Sequence, residues 1–159
     1  MLDPERTLLR HTLATLAYRS RKVLADVPPG FPHFRPTADA RSAVEILAHM
    51  GDLFDWALSL AEERSAWRNA DPLPWNEEVS RFYMALRAFD DRLAGPAELK
   101  PSCASLFQGP VADALTHLGQ LALLRRQIQE PVKGENNFQA EIVVGRIEPA
   151  MQSPPRREF

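Results

Sequence analysis

Cysteine is nearly absent from this sequence. Cys103 stands alone, so no disulfide can form within the chain, and a reducing compartment such as the cytoplasm is the expected setting. Long apolar runs are missing too. None approaches the roughly 18 residues that a membrane-spanning helix requires. The opening "MLDPERTLLRHTL" is charged and helix-like and lacks the build of a signal peptide. Charge of one sign is not in excess: the net charge is -2, with acids and bases interspersed, and no basic patch invites nucleic acid. Internal repeats and low-complexity tracts are likewise missing. What remains is an ordinary globular composition, 45% apolar and 25% charged over 159 residues, enough for one domain with a sizeable core.

Four amphipathic segments account for most of that chain. Asp3 is placed to cap the first and Pro4 to open it. The stretch "VPPGFPHFRPTAD" then breaks it with four prolines and a glycine. Ser42 and Glu45 have capping-box spacing and begin the second segment. After "NADPLPW", Asn76 is placed to cap the third, and Gly95 with Pro96 ends it. Pro110 opens the fourth after a long connector. Helices are expected over about residues 4–25, 42–66, 77–94 and 110–129. The remainder, about 131–159, reads as an extended tail on the bundle, with "EIVVGRI" strap-like and Phe138 anchored after a polar turn. The expectation is an all-α four-helix bundle forming a single domain over residues 1–159.

Polar residues interrupt two of the apolar faces. With about 100° between successive residues, His49 falls at the edge of the second helix's apolar arc, and Asp52 lies further out. In "VADALTHLGQLALLRR", His117 lies inside the apolar arc of the fourth helix, with Asp113 and Gln120 on its margin. A buried imidazole needs a partner at each nitrogen or loses solvation at a cost of a few kcal/mol. Asp113, one turn earlier, can supply a second ligand to a shared metal or accept a proton from the ring. From spacing alone, the metal set and the hydrogen-bonded core network stand level. Gly119 costs the helix about 1 kcal/mol relative to alanine, so a close neighbour is expected against it. His11 and His33 read as structural and solvated, Cys103 as a small buried thiol, and the three tryptophans as packing, with Trp56 able to wall a pocket near His49. Arg125 reads as a favourable helix end or a binder of an anionic group.

The segments "SAVEILAHMGDLFDWALSL" and "GPVADALTHLGQLALLRR" resemble the DinB/YfiT-like family of metal-dependent helical bundles. In that family a histidine of the second helix joins a His-x-x-x-His pair of the fourth around a divalent metal. His49 matches the first of these and His117, followed by Gly-Gln, the last; Asp113 stands where the other histidine belongs. The resemblance, over roughly residues 3–142, implies a bundle with a long connection between helices 2 and 3. It implies a divalent metal (Zn, Ni, Mn or Fe) on His49, Asp113 and His117, with Asp52 and Gln120 behind the ligands. It also implies a transferase or isomerase that uses a low-molecular-weight thiol on an unknown small-molecule substrate, and is consistent with a homodimer. The alternative is a non-catalytic bundle that binds metal or a small ligand, or dimerises, in a stress response. Neither nucleic acid nor membrane is an expected partner. His49 and His117 can meet whether their helices run parallel or antiparallel, provided that an antiparallel pair is staggered.

Overall fold

The computed structural model describes residues 3–159; residues 1 and 2, with which the expected domain begins, lie outside the described residues. Its long helices are α1 (Pro4–Leu24), α2 (Ala43–Ala61), α3 (Trp75–Ala94) and α5 (Ala112–Gln127). A short helix, α4 (Cys103–Leu106), and a π-helical turn (Phe107–Val111) lead directly into α5. Among the described residues there is no β-strand, and no helix is long and apolar enough to cross a membrane.

Local chemistry explains where these helices begin. The Arg6 amide donates to Asp3 Oδ1 at 2.8 Å, and Pro4, which has no N–H to lose, opens α1. At α2 the capping box closes in both directions: the Glu45 amide donates to Ser42 Oγ, and the Ser42 amide to Glu45 Oε2 at 2.7 Å. Two starts differ from the sequence reading. Asn76 does not cap α3, which opens at Trp75 after Pro74. The buried Glu78 carboxylate reaches back instead and accepts from the Leu73 amide at 2.9 Å. The fourth helix begins at Ser102, not Pro110, because Ser102 Oγ accepts from the Ser105 amide. Pro110 is taken up inside the wider π turn.

The ends differ in a related way. α2 stops at Ala61 rather than near residue 66. Glu63 turns left-handed at φ 60°, the Glu63 amide donates to Leu60 O, and the Arg64 amide to Ser59 O at 2.8 Å. This is a Schellman closure without glycine. α5 ends identically, with Gln129 at φ 63° and the Glu130 amide donating to Arg125 O. Arg125 is buried and donates to Lys22 O, Val23 O and Ala25 O, so it caps the carbonyl end of α1 and is not available to a substrate.

Each long helix packs on two others: α2 on α3 and α5, and α1 on α3 and α5. Cross-helix bonds give the directions. Arg81 donates to Ala48 O and Arg92 to Ala61 O, so α2 and α3 run parallel. Arg10 pairs with the fully buried Asp90, and Trp75 Nε1 donates to Leu24 O, so α1 opposes α3. The Arg125 bonds run α5 alongside α1. α2 and α5 are therefore antiparallel. Parallel neighbours in sequence require a long return, and residues 62–74 supply it as a strap lying back along α2. Fully extended, that strap spans about 40–45 Å, more than the roughly 30 Å of a 20-residue helix. The core between the helices is closed by Phe54, Phe82 and Phe89, all fully buried.

The tail lies on the bundle as expected, but as turns rather than a strap-like strand, with one isolated bridge between Glu135 and Glu158. Glu135 accepts from the Tyr18 hydroxyl and pairs with Lys22 at 3.0 Å; Glu148 pairs with Arg87. Ile147 is fully buried. Phe138 is 98% exposed and anchors nothing; Phe159, whose ring lies where a Cβ on residue 134 would be, is 82% exposed. The close neighbour expected against Gly119 is also missing. Nothing lies within 4 Å of where its Cβ would stand, and the residue is exposed.

Candidate metal centre

One stripe of α2 carries His49, Asp52, Trp56 and Ser59, spaced three, four and three residues apart, which is the period of a single helical face. The strap covers that stripe and is held at two points. Ser59 Oγ accepts from the Ala66 amide at 3.0 Å, and Asp52 Oδ2 from the Ala70 amide at 3.1 Å. Between these points Trp67 meets the edge of Trp56 at 5.6 Å and of His49 at 5.7 Å, ring centre to ring centre. Asp52 therefore does not stand behind His49 as expected. Its carboxylate is spent on the strap and on Arg81, which also pairs with Glu78 and Asp55. The wall beside His49 is Trp67 on the strap, with Trp56 behind it.

On the opposing helix, the π turn ends at Val111, two residues before Asp113. Its extra residue shifts the register by about 100° relative to an unbroken α-helix. Asp113 and His117 then share a face toward α2. His49 Nε2 lies 3.5 Å from Asp113 Oδ2, and His117 Nε2 lies 3.4 Å from Asp113 Oδ1. The two imidazoles stand at right angles with centres 4.7 Å apart. One ligand atom from each of the three residues falls within 4.8 Å of the others. The helices are antiparallel, and the stagger required for that arrangement is present.

Burial and hydrogen bonding prepare these groups unequally. The imidazole side chains are 15% and 11% exposed, against 46% for Asp113, so the carboxylate is the open side of the cluster. Burial, the positive charge of Arg41 and neighbouring His117 push the His49 pKa down, only partly offset by Asp113. His49 is accordingly held neutral, the form that ligates metal. His117 Nδ1 lies 2.9 Å from Gln120 Oε1. An amide oxygen accepts, so in the neutral ring Nδ1 carries the proton and Nε2 turns a lone pair toward Asp113. Gln120 thus occupies the supporting place expected of it.

The other candidates do not join the cluster. His11 and His33 are exposed on α1 and on the turn Phe31–His33. Cys103 lies at the far end of α4, its thiol pKa raised by burial and by Asp3 and Glu5. No family model and no curated protein matches the sequence. A solved structure does: a proposed member of the DinB family from Exiguobacterium sibiricum 255-15, with a TM-score of 0.69 at 17% identity, covering 84% of this chain and 98% of that one. The fold is DinB-like. The long return between α2 and α3 and the α2–α5 pair that carries His49, Asp113 and His117 lie within that fold.

Proposed function

We propose that this DinB-like bundle holds one divalent metal on His49, Asp113 and His117 and works on a small molecule as a metal-dependent transferase or isomerase using a low-molecular-weight thiol. One observation carries the metal. His117 Nε2 and the Asp113 carboxylate face each other at 3.4 Å, and His49 Nε2 faces the same carboxylate at 3.5 Å. Groups so placed repel unless a metal cation or a ring proton lies among them. Donors about 2.1 Å from a tetrahedral ion are about 3.4 Å apart; each imidazole stands about that far from one of the two Asp113 oxygens, and one ligand atom from each residue lies within 4.8 Å of the others, so the set closes onto an ion by a small inward shift. Two imidazoles and a carboxylate suit Zn, Ni, Mn or Fe and leave positions free for other ligands. A metal so held acts as a Lewis acid and lowers the pKa of a bound water or thiol. The chain's own contribution is orientation: Gln120 fixes the His117 tautomer, the strap sets Trp67 as an apolar wall, and half-exposed Asp113 leaves one side open.

Elemental analysis of the purified protein, before and after chelation and reloading with Zn, Ni and Mn, tests this reading. About one ion per chain is expected, with affinity reduced more than about 100-fold in His49→Ala and in His117→Ala. A chain that takes up none of these metals is the alternative, a non-catalytic bundle in which Asp113 pairs with a protonated imidazole. The carboxylate spanning both rings is the observation on that side.

A further inference from the structure

A cleft of about 360 Å³ opens beside His49, between the strap and the loop that precedes α2. Its charged groups divide into those already used and those not. Arg35 and Glu45 are paired at 2.8 Å. Asp52 is committed to Arg81 and to the strap amide of Ala70. Two ionic side chains are left over, Arg41 and Asp39, which line the same cleft and make no ion pair among the described residues. Asn69, on the strap, lines the cleft with them. Arg41 and His49 line the same cleft. The unspent valences of the cleft are thus one cation, one anion and one amide, adjoining a metal candidate.

We infer that this cleft is the recognition subsite for a small zwitterion, an amino-acid-like ligand whose carboxylate pairs with Arg41 and whose ammonium pairs with Asp39. The inference rests on the proposed metal site and names the class of substrate it serves. A dianion such as phosphate is disfavoured, since it meets Asp39 without a compensating cation. A simple carboxylate satisfies one of the two free charges and leaves the other unpaired. A zwitterion satisfies both. The cleft adjoins His49, so the remainder of such a molecule extends toward the ligand cluster and Trp67.

The test is an NMR titration of the chelator-treated full-length protein with L-alanine, propionate, propylamine and lactamide. The metal-free protein is the deciding sample, because an amino acid also chelates a bound ion. Saturable shifts of the Arg41 Nε–H and Asn69 side-chain amide signals are expected with alanine. Binding of propionate and propylamine should be about fivefold to tenfold weaker. Arg41→Ala and Asp39→Ala should each reduce alanine binding to the level of the singly charged probes, and Arg41→Lys should retain part of it. Both residues are exposed on a loop, and an unchanged amide spectrum elsewhere confirms that each variant folds. Equal binding of all four probes, no saturable shift, or alanine binding unchanged in both alanine variants overturns the inference. Failure of zinc to bind the same protein overturns the metal reading alone, because the alanine titration is read without metal.

Discussion

Gln120 touches no candidate ligand position of its own and acts through the His117 ring. Replacing it with alanine frees the tautomer and removes an outer-shell partner, which typically costs about 10- to 100-fold in metal affinity. Isothermal titration of zinc into Gln120→Ala should therefore give a weaker constant with unchanged stoichiometry; an unchanged constant would mean that the ring needs no such support. Gly119, its neighbour in sequence, has the opposite character. With open space where its Cβ would stand, Gly119→Ala should stabilise the protein by about 1 kcal/mol, read from the urea midpoint. The sequence shows that a helix pays for glycine here but not whether anything lies opposite. His49, Asp113 and His117 were legible because two helical periods placed them within or at the edge of apolar faces. Trp67, Arg41 and Asn69 were not, because loop residues carry no period that reports which element they lie against.

Among elements, the strap and the caps were read with unequal success, for physical reasons. The capping box at Ser42 is a local pattern and appears in the structure as drawn. The two glycine-free Schellman ends are set by φ at Glu63 and Gln129, which residue type alone does not announce. The helix start at Ser102 was masked by Pro110, whose tolerance depends on a π turn. Ser59 holds the strap at Ala66, so Ser59→Ala should speed hydrogen exchange at the Ala66 amide and cost about 1 kcal/mol. Exchange at residue 66 that is unaltered would show the strap held elsewhere. At the other end of α2, the pairing with Arg35 and the bond from the Ser42 amide hold the Glu45 pKa down at about 2. A carboxylate depressed in the folded state stabilises it above the ordinary value near 4.5, and that contribution disappears as pH falls toward 2. Glu45→Gln should accordingly flatten the acid limb of the stability profile between those values, and NMR titration of the Glu45 side chain should place its midpoint near 2.

Over the whole molecule, the tail is part of the packing. Ile147 is fully buried, Glu148 pairs with Arg87, and Glu135 joins Tyr18 and Lys22 from outside α1. Burial and the Glu135 bond together raise the Tyr18 pKa to about 12, so the hydroxyl stays a donor throughout the working range. Ending the chain after residue 130 should lower stability by at least the roughly 1.5–3 kcal/mol of one buried isoleucine, measured by thermal unfolding. A truncated protein with an unaltered midpoint would contradict that role.

The parallel course of α2 and α3 also divides the labour of the proposed recognition. The three candidate ligands sit on helices fixed by the core, whereas the aromatic wall and Asn69 belong to a return segment gripped by Ser59 and Asp52. Residues 67–69, between those two grips, are exposed and lie outside the buried core. Exchanging residues 67–69 should thus change which molecules are accepted while leaving the count of bound ions as it was. On the proposed reading, a chain built this way can acquire a new substrate at little cost to its own stability.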